Sequence, residues 1–168
     1  MYNYSRTILL IYTLATLFQA LSAAAKSMVP TVPEAIVGIS VISPTELDKM
    51  IKQDADRAID QKQVLIVDVR MPLEFAEEHI PNALGNAYNE ESKKDLAFDA
   101  TKDSFNLSEI QKSKATNVVF YCNGAECWKS FKACKWALKH HLNKKIFWLR
   151  LGLPGWQKAG FPTEAGLP

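Results

Sequence analysis

Cysteine is scarce in this sequence, and an excess of charge of either sign is lacking. Three cysteines among 168 residues are too few for a disulfide scaffold, and their odd number leaves at least one thiol unpaired within the chain. Twenty lysines and arginines against eighteen aspartates and glutamates give a formal net charge of +2. This balance argues against nucleic-acid binding, which needs a cationic surface that releases counterions from phosphates. Hydrophobic residues make up 48% of the chain and charged residues 23%, as in an ordinary globular domain.

The first 25 residues have the order of a secretory signal peptide. Arg6 and the amino group supply positive charge, an apolar segment runs from Ile8 to Phe18, and small residues follow at 22–25. The segment is shorter than the roughly 20 apolar residues of a spanning helix. We therefore expect cleavage and export, to the periplasm or outside the cell. The alternative is an uncleaved anchor that places the chain at the membrane, facing the periplasm.

The remaining chain has the pattern of one α/β domain. Continuous apolar runs without alternation are typical of strands buried on both faces of a parallel sheet, and three of them are separated by helical segments: 64–67, 118–121 and 146–149. The sequence therefore predicts a parallel central sheet flanked by helices on both faces. The predicted organisation is a lead-in at 26–35, the domain at 36–164 and a tail at 165–168.

Several further elements are predicted around these strands. Residues 36–42 form a β-type run, and Ser43 then starts a capping box that predicts a helix of about four turns, through Ile59. The polar stretch 89–114 is expected to form short helices and loops over one edge of the sheet. The lysines scattered over 129–145 are interpreted as a mostly solvated helix face.

A cysteine follows the predicted strand 118–121 directly. Cys122 begins a Gly-containing loop, and helical spacing of apolar residues predicts a helix from about Lys129. Ligands of parallel α/β sheets gather at the carboxyl ends of the strands. Backbone amides and the helix dipole at such a position stabilise a thiolate, so Cys122 is a candidate nucleophile. The alternative at this point is a buried structural cysteine.

Two flanking segments carry a resemblance to a known family. Asp68-Val69-Arg70, with Glu74-Phe75 and His79-Ile80-Pro81-Asn82-Ala83, resembles the first signature of the rhodanese-like sulfurtransferases, and the run from Leu149 to Trp156, with Gly160-Phe161-Pro162, resembles the second. Cys122 lies between them, where the family has its catalytic cysteine. The resemblance covers roughly residues 36–164 and implies a single rhodanese-like domain.

The resemblance implies transfer of sulfane sulfur through a persulfide on Cys122. The donor is then a small sulfur-containing anion such as thiosulfate, or a persulfide; the acceptor is a thiol, cyanide or a protein. It implies neither a metal nor an organic cofactor, and a monomer or weak dimer is expected. The substrate-binding loop comprises Asn123, Gly124, Ala125, Glu126, Cys127, Trp128, Lys129 and Ser130.

The loop departs from the family pattern. Cys127 stands where members commonly have an arginine, and the cation arrives later as Lys129, a point charge without a bidentate fork. Related phosphatases have an arginine six positions after the cysteine, and in this sequence that position is Trp128. The loop therefore disfavours their oxyanion-ester chemistry. Two alternative functions follow: a sulfur carrier or binding module without turnover, and a periplasmic dithiol oxidoreductase using Cys122 and Cys127.

The other candidate residues have competing interpretations. Cys127 is either a resolving thiol that attacks the Cys122 persulfide or a cysteine packed beneath the loop. Cys134 lies on the apolar face of the predicted helix and is expected in the core. Asp68 and Arg70 either contact a ligand or form an ion pair that supports the following turn.

Overall fold

A computed structural model describes residues 30–58 and 61–167. The expected signal peptide or anchor at 1–25 lies outside this range, as do residues 26–29 of the lead-in and Ile59. Among the described residues, no helix has both the length and the apolar character that crossing a membrane requires.

Five parallel strands form one sheet, in the order β1-β5-β4-β2-β3. The strands are β1 (Ser40–Val41), β2 (Val64–Asp68), β3 (Leu84–Gly85), β4 (Asn117–Tyr121) and β5 (Lys145–Leu149). The three apolar runs are thus confirmed as β2, β4 and β5, and β4 is the central strand. The predicted strand at 36–42 is wrong in extent, because Ile36 and Ile39 pair with each other across a turn and only the next two residues join the sheet.

Helices connect the strands. They are α1 (Pro44–Gln53), α2 (Pro72–Glu77), a short 3-10 helix (Ala100–Lys102), α3 (Ser108–Lys112), α4 (Trp128–Lys139) and α5 (Gly152–Lys158). The predicted capping box of α1 is confirmed: the Glu46 amide donates to Ser43 Oγ, and the Ser43 amide donates to the Glu46 carboxylate. The helix starting near Lys129 is also confirmed.

Helix α1 is shorter than predicted. It ends at Gln53 rather than continuing to Ile59, because the Asp54 carboxylate accepts hydrogen bonds from the backbone amides of Gln63 and Val64 at 2.6 and 2.9 Å. These bonds tie the end of the helix to the start of β2. The apolar periodicity beyond residue 54 therefore does not extend the helix.

Both faces of the sheet are covered, as predicted for the fold class. Successive residues of β4 alternate between the two faces, so that Val118 and Phe120 pack on one side and Val119 and Tyr121 on the other. The first face is covered by α4, with side chains that include Phe131, Cys134 and Ala137. The second is covered by α1 and α5 through Leu47, Leu153 and Trp156.

The segment 89–114 does form short helices and loops, and it extends beyond the expected edge of the sheet onto the α4 face. Its apolar side chains pack on the α4 face: the Phe105 ring lies 5.9 Å from that of Phe120, between centroids. Just before the segment, the Tyr88 ring lies 6.2 Å from that of Trp136 on α4. The segment therefore contributes to the main core.

Lys132 of α4 does not belong to the solvated helix face that was predicted for the lysines of 129–145. Its side chain is fully buried, and its Nζ lies 2.8 Å from Glu90 Oε1 and 3.7 Å from Asp103 Oδ2. It also donates to Ser92 Oγ at 2.8 Å. Lys132 thus fixes the segment after β3 onto α4 instead of facing solvent.

Candidate active site

Cys122 follows the last residue of the central strand β4, and α4 begins six residues later at Trp128. The loop between them therefore lies at the carboxyl end of the sheet. The end of β2 at Asp68 and the end of β5 at Leu149 lie beside the end of β4, in register with Tyr121. Parallel α/β sheets bind their ligands at this carboxyl end of the strands.

Cys122 and Cys127 are joined by a disulfide, with their Cα atoms 6.2 Å apart. This bond supersedes the interpretation of Cys127 as an inert packed thiol. Cys122 is only 1% exposed, whereas Cys127 is partly exposed. In this oxidised state Cys122 is not a nucleophile, and the predicted thiolate forms only when the disulfide is reduced.

The backbone holds both cysteines in place. The Leu153 amide donates to the Cys122 carbonyl at 3.0 Å, and the Cys127 amide donates to the Gly124 carbonyl at 3.1 Å. Only glycine fits at position 152, because a Cβ there would lie 2.1 Å from the Cys122 carbonyl oxygen. The φ of Gly152 is +58°, in the left-handed region that favours glycine. The second signature segment therefore supports the cysteine loop by close backbone contact.

Glu74 of α2 contacts the loop through the residue after Cys122. Asn123 Nδ2 donates a hydrogen bond to Glu74 Oε1, and the Met71 amide donates to Glu74 Oε2 at 2.9 Å. Burial raises the pKa of Glu74, but these hydrogen bonds and the charges of Lys129 and Arg70 outweigh it and hold the pKa below its ordinary value. Glu74 thus places a stable negative charge beside the loop.

Asp68 and Arg70 form a buried ion pair. Arg70 Nη2 lies 2.6 Å from Asp68 Oδ2, and Arg70 Nε also donates to the same carboxylate. The guanidinium further donates to the Glu78 carbonyl and lies over the Tyr121 ring. Because both side chains are almost fully buried, this geometry favours the supporting role over ligand contact.

The predicted loop divides into two parts. Trp128 and Ser130 are buried within α4: the Trp128 ring packs against Phe131, and Ser130 Oγ accepts a hydrogen bond from Trp148 Nε1 at 3.0 Å. The other predicted residues are at least partly exposed, namely Asn123, Gly124, Ala125, Glu126, Cys127 and Lys129. Ligand contacts of the loop are therefore expected from this exposed part.

Cys134 is the one free cysteine among the described residues, and it lies in the core as predicted. Burial raises the pKa of its thiol. No cluster of three or more metal-ligating His, Cys, Asp or Glu side chains occurs in residues 30–58 and 61–167.

Glu74 and Gly152 were not singled out from the sequence, although both lie within the signature segments. Glu74 contacts Asn123, which lies 49 positions further along the chain. Gly152, which follows β5, lies against backbone atoms of Cys122 and Gly124 in the loop that follows β4. The signal that could have found Glu74 is its acidic side chain at the start of a helix following a strand.

This α/β domain, with a cysteine after the central parallel strand, matches the model of the rhodanese-like domain over residues 44–159. The chain belongs to the rhodanese-like domain family. A protein of Allochromatium vinosum named sulfurtransferase is 29% identical over 111 residues, which cover 66% of this chain and 88% of that protein. The family and this relative support a sulfurtransferase-type function.

Two solved structures share the fold. A thiosulfate sulfurtransferase from Pseudomonas aeruginosa aligns with a TM-score of 0.54 and 17% identity, over 76% of this chain and 20% of that one. SseA of Escherichia coli, a 3-mercaptopyruvate sulfotransferase, aligns with a TM-score of 0.52 and 18% identity, over 77% of this chain and 53% of that one. This chain therefore matches only part of each.

Proposed function

We propose that the chain is a sulfurtransferase that carries sulfane sulfur on Cys122. The observation that supports this most is the position of Cys122, at the end of the central parallel strand and before the N-terminus of a twelve-residue helix. In the reduced protein, loop amides and the positive end of the helix dipole favour the anionic forms of the cysteine and its persulfide.

The first half-reaction forms the persulfide. The Cys122 thiolate attacks the outer sulfur of the donor, the S–S or S–sulfonate bond of the donor breaks, and the donor leaves as a thiolate or as sulfite. In the second half-reaction a thiol, cyanide or a protein acceptor takes the outer sulfur and restores the thiolate. A persulfide enclosed by main-chain donors is stabilised and protected from stray thiols.

The charges around the loop favour a persulfide donor over thiosulfate. The carboxylate of Glu74 is held ionised next to Asn123, and Glu126 is exposed within the loop. Lys129 is the cation of the exposed part and is a point charge. Thiosulfate carries two negative charges close to the sulfur that is transferred, whereas a persulfide group carries one, so the carboxylates repel thiosulfate more strongly at the loop.

The test uses Cys127→Ser, in which the Cys122–Cys127 disulfide is absent. The reduced variant is incubated with thiosulfate or with glutathione persulfide and measured by intact-mass spectrometry. We expect a gain of about 32 Da, one sulfur atom. The matched control, Cys122→Ser combined with Cys127→Ser, should gain nothing. If Cys127→Ser gains no mass with either donor, the proposal is wrong; if it gains sulfur but never passes it to cyanide or a thiol, the chain is a carrier.

A dithiol oxidoreductase is the second candidate, favoured by the Cys122–Cys127 disulfide itself. Such a protein exchanges disulfides without any sulfane sulfur. The reduced chain is mixed with oxidised glutathione alone, and formation of the internal disulfide is followed by mass. Exchange much faster than that of Cys127→Ser with the same disulfide would favour this candidate, whereas equal rates would exclude it.

A further inference from the structure

Cys127 is close enough to act on sulfur bound to Cys122. The two residues are bonded through their Sγ atoms, with a Cα–Cα separation of 6.2 Å, so the loop already has a conformation in which Cys127 reaches Cys122. The backbone contacts of the loop, from Leu153 to Cys122 and from Cys127 to Gly124, involve no sulfur atom. We therefore expect the two cysteines to remain neighbours when the disulfide is reduced.

A persulfide on Cys122 would meet Cys127 directly. The S–S bond of a persulfide has about the length of a disulfide bond, roughly 2.05 Å. Attack on Cys122 Sγ requires the outer sulfur to point away from Cys127, and the disulfide shows that Cys127 Sγ can approach Cys122 Sγ to bonding distance. Cys127 is therefore a thiol within reach of the persulfide that needs no encounter with a second molecule.

We propose that Cys127 is a resolving catalytic residue that releases the transferred sulfur as sulfide; this inference rests on the proposed function. The Cys127 thiolate attacks Cys122 Sγ, the inner sulfur of the persulfide. The bond from Cys122 to the outer sulfur breaks, and that sulfur leaves as hydrosulfide, with the electron pair of the broken bond and the proton that the Cys127 thiol gave up. The new bond is the Cys122–Cys127 disulfide.

The electrons balance within this step. The zero-valent sulfane sulfur gains two electrons and becomes sulfide, while the two cysteines lose one electron each and become a disulfide. A dithiol reductant then restores both thiols and itself becomes a disulfide. The net reaction converts a persulfide donor and a dithiol into a thiol, sulfide and an oxidised dithiol.

The burial of the two cysteines assigns the order of the reduction. Cys127 is partly exposed and Cys122 is nearly inaccessible, so the dithiol reaches the Cys127 sulfur first. The mixed disulfide then forms on Cys127, and Cys122 is released as the thiolate. The residue that accepts the next donor sulfur is thus regenerated first.

A single-turnover experiment without oxygen or added thiol tests this assignment. Wild type, Cys127→Ser, Cys122→Ser and Cys134→Ser are reduced, freed of reductant and mixed with one equivalent of glutathione persulfide. Sulfide is measured against a protein-free control, and the protein by intact mass. Wild type and Cys134→Ser should release about one equivalent of sulfide and lose about 2 Da, the two hydrogens of a dithiol. Cys127→Ser should gain about 32 Da and release at least tenfold less sulfide.

The outcomes separate the two proposals. If wild type keeps the added sulfur and releases no sulfide while Cys127→Ser is loaded, the resolving role is wrong and the sulfurtransferase proposal stands. If neither protein is changed by the persulfide, the sulfurtransferase proposal itself fails. If Cys122→Ser gains sulfur and Cys127→Ser does not, the two cysteines have the opposite roles and both assignments are overturned.

Discussion

The contact between Gly152 and Cys122 gives a quantitative prediction for the active-site loop. In Gly152→Ala, the new Cβ would lie 2.1 Å from the Cys122 carbonyl oxygen and 2.5 Å from the Gly124 amide nitrogen. Separations under 3.0 Å are essentially never seen for a Cβ, so these backbone groups must move apart by nearly 1 Å. Neither contact is the end of a flexible side chain, so the loop itself has to shift.

The shift of the loop is expected to lower the rate of persulfide formation, in addition to its cost in stability. The Cys122 carbonyl also accepts the hydrogen bond from Leu153, and losing that bond costs about 1 kcal/mol. A displacement of about 1 Å at a reacting group can reduce a rate roughly 100-fold. We therefore expect Gly152→Ala to slow persulfide formation on Cys122 by about that factor.

Gly160→Ala is the matched control. Gly160 also has a positive φ, of +79°, but a Cβ there would meet nothing within 4 Å. The alanine at either position costs about 1–2 kcal/mol for the left-handed backbone, and only Gly152→Ala disturbs the loop. Both substitutions are made in Cys127→Ser and compared by the initial rate of mass gain and by urea unfolding. Equal persulfide rates in the two variants would refute the argument.

Three further predictions concern residues around the loop and core. Lys132→Met should lower the free energy of unfolding by about 3–5 kcal/mol, because it leaves buried carboxylates without their cation, while Lys135→Met on the exposed face should be near neutral. Cys134→Ser should lower the melting temperature but leave sulfur loading of Cys122 intact; loss of loading in a folded variant would contradict the core assignment. Because folding lowers the pKa of Glu74 below 4.5, its stabilising contribution is complete above that pH and is lost as the pH falls through the folded-state pKa. Urea midpoints of wild type and Glu74→Gln should therefore converge at acid pH, and a constant difference would contradict this.

Local signals in the sequence were sufficient for much of the fold. The capping box at Ser43 and Glu46 involves residues three positions apart, and it marks the start of α1 correctly. Continuous apolar runs mark buried strands because a parallel sheet is covered on both faces. The same logic placed Cys122 at the end of the central strand.

Features that depend on distant residues were missed or misjudged. Lys132 is buried because Glu90 and Asp103 fold over α4, and helical periodicity contains no information about those partners. The end of α1 depends on the amides of residues 63 and 64, which lie 9 and 10 positions after Asp54 and donate to its carboxylate. The support of the cysteine loop by Gly152 likewise arises only when β4 and β5 are neighbours.

The central claim is that Cys122 bears the sulfane sulfur, and peptide mapping of the loaded Cys127→Ser protein tests it most directly. The protein is alkylated, digested and analysed by tandem mass spectrometry after reaction with glutathione persulfide. We predict that the additional sulfur is found on the peptide containing Cys122. Additional sulfur on Cys134, or on no cysteine at all, would contradict the account.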